Sequence, residues 1–388
     1  MRDVQSDISV VSIVDTLLDT AITMRASDIH LEPAEQILRI RFRLDGVLHD
    51  QKPLGSSVAQ QVISRFKVLG AVNIAEKRVP QDGKFHTLFK GKPVDLRVST
   101  FPSLHGEKVV VRILDRAIHG VALAHLGFST SMLHQFEYLI KRPSGFFLVT
   151  GPTGSGKTTT LYAAVSALNS PERNIVTLED PVEYNVPGIT QGYINAAAGF
   201  TFEKGIRALL RQDPDILMVG EIRDKQTAKV AIEAALTGHL VLSTLHTSDA
   251  AGAIMRLMDM GIEPFLINAS LSGVLAQRLV RKICHFCTRL GDSQEHELLL
   301  AMRWGIDPAA ISRGTGCKEC SYVGYRGRTG IFELLTVTNA LRSLIISRPV
   351  FEDIYNQARA DGMSTLMQDG LQKVQSGIIS ILDLARTI

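Results

Sequence analysis

Apolar and polar positions change their period twice along this chain. Between residues 8 and 24, Val10, Ile13, Val14, Leu17, Leu18, Ala21 and Ile22 recur at three- and four-residue spacing, which predicts a helix with one buried face. From Gln36 the period shortens to two. In QILRIRFRLDGVLHD, Leu38, Ile40, Phe42 and Leu44 fall on one side, and Arg39, Arg41 and Arg43 on the other. Asp45-Gly46 marks a tight hairpin turn. GKFHTLFKGKPVDLRVSTF alternates again, with a turn expected at Gly91-Lys92, and EKVVVRIL follows. Residues 1–118 therefore read as a small α+β domain built on hairpins.

After Asp115, short unbroken apolar runs replace the alternation. GFFLVTG, NIVTLED, DILMVGE and HLVLSTLH are separated by helix-length segments, the pattern of an α/β, doubly wound parallel sheet over residues 119–280. A basic, cysteine-bearing segment covers 281–328. A largely amphipathic helical segment covers 329–388, its helical pattern clearest from Leu334 on. Neither internal repeats nor low-complexity tracts occur.

At 388 residues the chain is long enough for two or three cores, and its 45% apolar and 21% charged content is that of a folded protein. A net charge of +3 with dispersed basic residues gives no footprint for nucleic acid. No apolar run approaches the roughly 18 residues of a bilayer span, and the acidic amino-terminus is a poor signal peptide. These features predict a protein of the reducing cytoplasm that meets a membrane only through partners.

Residues 151–158, GPTGSGKT, fit the phosphate-loop pattern G-x-x-x-x-G-K-S/T, with an apolar strand before them and a helical stretch after. Gly151, Pro152, Thr153, Gly154, Ser155, Gly156, Lys157, Thr158 and Thr159 are the expected nucleotide contacts. The glycines let backbone N–H groups turn inward, and the helix N-terminus favours negative charge. Lys157 would reach the β- and γ-phosphates of ATP, and Thr158 would hold Mg²⁺. Two other strands end in acids: Glu179 and Asp180 after IVTL, and Glu221 after ILMVG. In a parallel sheet those ends share one edge with the loop. Strand-end acids are ordinarily solvated, but a pair of them downstream of a phosphate loop points to a group that readies water for attack.

The four cysteines fall as Cys284-x-x-Cys287 and Cys317-x-x-Cys320. Two such knuckles suit a tetrahedral thiolate site for structural Zn²⁺, although 29 residues between them exceed a compact ribbon. Redox pairs or plain buried cysteines are the alternatives. His285 is a weak further ligand candidate.

These segments together resemble the secretion superfamily ATPases that drive type II secretion and type IV pilus assembly. The resemblance rests on GPTGSGKTTTLYA, NIVTLEDPVEY, LRQDPDILMVGEIRD and TGHLVLSTLHT, and it runs from ASDIHLEP at residue 26 to the C-terminal helices. It implies a RecA-like core, a PAS-like N-terminal domain and a zinc-binding C-terminal module of the kind found in secretion and pilus-extension members. It assigns Glu221 to the Mg²⁺ and γ-phosphate side and Glu179 to polarising water. It places His239 and His246 near the γ-phosphate, and makes Arg97, Arg112, Arg207 and Arg211 nucleotide or subunit-interface arginines. It further implies a hexameric motor at the cytoplasmic face of the bacterial inner membrane, working with platform and docking proteins. SPERNI, MGIEPFL and the cysteine pairs resemble the secretion members most, with a type IV pilus extension ATPase as the alternative and a RecA-type nucleic-acid motor as a more distant one. Family members often carry a further N-terminal docking domain. This chain begins almost directly at its hairpin domain, which points to a trimmed piece or a naturally short member.

Overall fold

The computed structural model describes residues 9–114, 120–291 and 294–388, apart from the Lys92 side chain. The expected boundary at 118/119 and the first eight residues lie outside the described residues. Contacts divide the chain into two units: Met1–Ile118 with Gly316–Val323, and His119–Thr315 with Gly324–Ile388.

In the first unit, α1 (Val10–Thr23) leads into β1 (Ala26–Pro33), β2 (Ile37–Leu44), β3 (Val47–Asp50) and β4 (Leu54–Gly55). Helix α2 (Ser56–Leu69) and the strands β5 (Gln81–Phe89), β6 (Lys92–Ser103) and β7 (Gly106–Leu114) follow. The sheet runs β3-β2-β1-β7-β6-β5, with β4 on β2. Alternation sorts its faces as the sequence implies: Leu38, Ile40, Phe42 and Leu44 are buried beside Val14, Leu18 and Phe66. The second hairpin turns one residue earlier than expected, at Lys90-Gly91, where both residues have positive φ and Phe89 pairs with Lys92. A two-residue loop of that kind matches the strand twist.

A charged pair lies inside this unit. The Lys67 ammonium, on α2, donates to Glu107 Oε1 at 2.7 Å, Glu107 Oε2 at 2.9 Å and the Glu76 carbonyl at 2.6 Å. Lys67 is 1% exposed and Glu107 6%, so the pair joins α2, the stretch before β5 and β7 away from water.

The second unit begins with α3 (Thr130–Ile140), β8 (Gly145–Thr150), α4 (Lys157–Leu168), β9 (Ile175–Glu179) and β10 (Thr190–Tyr193). It continues through α5 (Phe202–Leu209), β11 (Ile216–Val219), α6 (Lys225–Leu236), β12 (Leu240–Leu245), α7 (Ala250–Asp259) and α8 (Pro264–Ser270). The long strand β13 (Leu271–Ile283) precedes β14 (Thr288–Leu290), α9 (Glu295–Trp304), β15 (Ser312–Gly314) and β16 (Tyr325–Thr336). Four helices close the chain: α10 (Asn339–Ile346), α11 (Phe351–Ala360), α12 (Leu366–Gln375) and α13 (Ile381–Thr387). The sheet order is β10-β9-β11-β12-β8-β13-β16, parallel except for β16, which runs antiparallel to β13.

The four apolar runs read from the sequence are the strands β8, β9, β11 and β12. Their residues alternate between two cores. Phe146, Leu148, Leu217 and Val219 pack with α6, α7 and α8, while Phe147, Val149, Ile216 and Met218 pack with α3 and α4. Burial on both faces is why these runs carry no polar alternation. The boundaries expected at 280/281 and 328/329 fall inside the paired strands β13 and β16, and the terminal helices pack onto them. Buried contacts hold that packing: Arg281 Nε donates to Asp383 Oδ1 at 2.8 Å, and Asp369 Oδ2 accepts from the Phe332 N–H at 2.8 Å. Among the described residues, no helix is long and apolar enough to cross a membrane.

Removing one member of the Lys67–Glu107 pair leaves a charge stranded in the interior. Lys67→Met should lower stability by about 3–5 kcal/mol, and adding Glu107→Leu should restore most of it. Urea denaturation midpoints of the two variants provide the check.

Candidate phosphate-transfer site

The glycine-rich stretch 151–156 bridges the end of β8 and the start of α4. Gly151 has φ of +148°, and a Cβ there would lie 2.5 Å from the Gln277 carbonyl of β13. Only glycine lets the loop begin so close to another backbone. Gly156 caps α4 in the left-handed region, with no side chain closing the helix end. The first N–H groups of α4 are therefore directed into the loop, as anion binding requires. Lys157 Nζ donates to the Gly151 carbonyl at 2.8 Å and the Pro152 carbonyl at 3.0 Å. Burial pushes the Lys157 ammonium below the usual lysine range, the Glu221 carboxylate opposes this, and Arg278 adds to it. Ser155 Oγ is buried without a hydrogen-bond partner. An orphaned hydroxyl and an ammonium satisfied only by carbonyls fit a loop shaped for phosphate oxygens.

Glu221 follows the glycine that ends the β11 run. Both flanking strands hold that end in place: the Gly220 N–H donates to the Leu178 carbonyl at 2.8 Å, and Thr244 Oγ1 donates to the Gly220 carbonyl at 2.7 Å. The Glu221 carboxylate meets Arg223 at 2.5 Å and His246 Nε2 at 3.4 Å. A cleft of about 400 Å³ opens there, lined by Ile222, Arg223, Leu245, His246, Arg256 and Met260. Beyond β12, Thr247 Oγ1 lies 2.8 Å from Thr150 Oγ1, tying the histidine-bearing loop to the end of β8.

Glu179 ends β9 on the same carboxyl edge but points into the protein, with 3% exposure. Tyr162, on α4, donates its hydroxyl to Oε2, while Oε1 accepts from Thr177 Oγ1 at 2.6 Å and Gln191 Nε2 at 3.2 Å. Burial, then the bond to Glu179, raises the Tyr162 phenol above its usual range. The two acids thus sit in different settings. Glu221 meets Arg223 and His246 at the cleft, and Glu179 is closed within a network.

Other expected residues of the second unit are not brought to this loop. His239 precedes β12, whose first residue pairs with Gly145 and whose last pairs with Thr150. It therefore lies at the opposite sheet edge from Gly151, about 20 Å away at roughly 3.3 Å per residue, and its ring meets the Ala234 carbonyl. Arg207 and Arg211 are exposed. The carbonyls after Arg211, at Gln212 and Asp213, accept from Asn174 just before β9, again at the amino edge. In the first unit, Arg97 stands opposite Arg112, and Arg112 Nε donates to Asp28 at 3.0 Å.

The thiolate ligand atoms of Cys284, Cys287, Cys317 and Cys320 all lie within 4.8 Å of one another, and Cys284 and Cys320 are buried. The Cys317 and Cys320 sulfurs are 3.7 Å apart. Metal–sulfur bonds of about 2.3 Å at tetrahedral angles put neighbouring sulfurs roughly 3.8 Å apart, so the set fits a four-thiolate metal site. The long spacer folds as β14, α9 and β15, with β14 paired to β15. His285 is exposed against Phe286 and takes no place in the cluster.

Gln277 belongs to the site although no motif contains it. Its Nε2 donates to the Ser155 carbonyl at 2.7 Å, and its Oε1 accepts from Thr160 Oγ1 at 2.8 Å, so it braces both loop and helix at 2% exposure. The signal was present as a Gln-Arg pair interrupting the apolar run LSGVLAQRLV.

A mixed α/β sheet with a phosphate loop at its carboxyl edge and acids on neighbouring strand ends defines a P-loop NTPase. The family model described as Type II/IV secretion system protein matches residues 3–386. The chain belongs to that family. A Vibrio cholerae relative, Type II secretion system ATPase E, is 49% identical over 382 residues, covering 98% of this chain and 76% of its own length. Type II secretion system protein E of Pseudomonas aeruginosa is 48% identical over 389 residues, covering 100% of this chain and 77% of its own. The solved Legionella pneumophila ATPase DotB shares the fold, with a TM-score of 0.71 at 21% identity over 100% of this chain and 97% of that one. The enzyme is an ATP-hydrolysing P-loop NTPase, and its function is that of a type II secretion ATPase.

Gly151→Ala should add about 1–3 kcal/mol of backbone strain at the loop, weakening ATP binding by about fivefold to a hundredfold. Titration with a fluorescent ATP analogue, with circular dichroism to verify the fold, provides the measurement.

Proposed function

We propose how the parts of this type II secretion ATPase divide the work of driving pseudopilus assembly. Residues 119–280 act as a RecA-like motor core, 1–118 as a PAS-like accessory domain, 281–328 as a zinc module, and 329–388 as a helical segment that braces the core. ATP binds at Gly151–Thr159, with Lys157 on the β- and γ-phosphates and the Thr158 hydroxyl toward Mg²⁺. When bound, Mg²⁺ supplies positive charge against that developing on the phosphates. Glu221 serves the metal and γ-phosphate side, with His246 beside it. Glu179 polarises the attacking water once Tyr162 releases it. The observation that carries this reading is the loop itself: an α4 N-terminus left open at Gly156, Lys157 held on the Gly151 and Pro152 carbonyls, and a buried Ser155 hydroxyl without a partner.

Arg97, Arg112, Arg207 and Arg211 supply charge from another domain or copy. The solvent-facing position of Arg207 and Arg211, remote from their own loop, suits action on a neighbouring chain within a hexamer. That assembly works at the cytoplasmic face of the inner membrane through platform and docking proteins. The four thiolates hold Zn²⁺ with every position filled by protein, a structural site rather than a catalytic one.

Lys157→Ala should abolish ATP binding. Glu221→Gln and Glu179→Gln should each bind ATP normally yet lose about 10²–10⁴-fold in turnover. Phosphate-release and nucleotide-binding assays read both quantities, and a Glu179→Gln protein that turns over at the wild-type rate would remove that acid from the mechanism. Cys284→Ser should lose zinc and melt at lower temperature while retaining ATPase activity below its new midpoint. Metal analysis and thermal unfolding together test the assignment.

A further inference from the structure

Arg278 follows the brace residue Gln277 on β13. That strand pairs with β8 so that Ala276 stands opposite Thr150, which carries the next residues of β13 alongside the first residues of the phosphate loop. The Arg278 side chain then reaches the loop beyond β12, where its guanidinium donates to the Ser248 carbonyl at 2.7 Å. A second donation goes to the Gln277 carbonyl at 3.2 Å. Because β12 and β13 flank β8, this side chain crosses the start of the phosphate loop. Ser248 lies two residues beyond His246, the partner of Glu221, so the crossing ends on the acid-bearing side.

The electrostatics of the crossing are unusual. Both Arg278 acceptors are neutral carbonyls, and among the described residues no carboxylate lies within 4 Å of it or of Lys157. Burial draws the Arg278 guanidinium down, with Asp249 and Glu333 opposing from farther away. Its charge bears on Lys157. Two partly buried cations thus act on one loop with no direct counter-ion, next to the orphaned Ser155 hydroxyl. Such a grouping is stabilised when an anion enters between the charges.

We propose that Arg278 is a further phosphate-contacting residue, supplied by the same chain, which acts on the terminal phosphate and makes this site prefer ATP to ADP. The proposal deepens the nucleotide reading given above and rests on it. The geometry favours the terminal phosphate because the guanidinium is anchored beside the loop that carries His246, opposite the helix end that receives the inner phosphates. Arg278 acts within its own chain, unlike the arginines assigned to a neighbouring copy.

The test uses the full chain and the variants Arg278→Gln, which keeps hydrogen-bond donors but not the charge, and Arg278→Lys, which keeps the charge. Binding of ADP and of a non-hydrolysable ATP analogue is measured beside turnover and thermal unfolding. For Arg278→Gln we expect ADP affinity within about twofold of wild type, a tenfold or greater loss of the ATP analogue's advantage, and a fall in kcat of about 10²–10³-fold, as for loss of one transition-state donor. Arg278→Lys should recover part of both. Unchanged nucleotide preference and turnover in Arg278→Gln would overturn the proposal. So would an equal weakening of both nucleotides in the two variants with lowered melting, which marks a structural brace. Lys157→Ala, run in parallel, separates the two levels: if that variant still binds ATP, the nucleotide reading itself fails whatever Arg278 does.

Discussion

The close approach of β13 to the start of the phosphate loop governs the arrangement around it. The Gln277 carbonyl occupies the space that a side chain at residue 151 would need, and the Gln277 amide holds both Ser155 and Thr160. One residue of a neighbouring strand thereby sets the entry angle of the loop, its curvature and the first turn of α4. Lys157 and the open end of the helix inherit their positions from that contact. A phosphate cradle is usually described as a property of its own glycines. Here the glycines permit the shape and β13 imposes it.

The parallel strands were legible in the sequence because burial on both faces leaves no room for alternation. Runs such as ILMV and HLVLSTL carry that constraint openly. β13 and β16 were not, although they form the longest ladder of the second unit. Their interiors include Gln277, Arg281 and Glu333, all buried, and each satisfies a tertiary partner: the phosphate loop, Asp383, and the N–H of Ala250. Polar residues inside a strand look like solvent-facing positions until the partner is known, so the sequence pattern alone places a module boundary in each. His239 shows a different limit. A motif box records which residues travel together along the chain, but not which end of a strand each occupies. His239 and His246 bracket β12, and only the second reaches the edge where Glu221 stands.

The acids illustrate how far spacing can rank residues. Glu179 and Glu221 both follow unbroken strands and both reach the carboxyl edge, and the sequence treats them alike. Their surroundings do not. Glu221 is held by Arg223 and His246 beside an open cleft, whereas three donors from α4, β9 and β10 enclose Glu179. The difference arises from Tyr162 and Gln191, residues whose importance depends on packing and carries no local signature. In an ATPase of this family the two carboxylates therefore begin from unlike states of solvation.

Helix α4 has a consequence of its own. Lys157 stands at its first position and Tyr162 five residues later, about 7.5 Å along the axis, with its phenol against the carboxylate at the tip of β9. A rigid rod gripped at one point by ligand charge and at another by an acid behaves as a lever of fixed length. A small slide or roll of α4 when the cradle fills would be felt at once by the bond that encloses Glu179. Occupancy of the loop and release of that acid would then be one mechanical event, with no messenger between them.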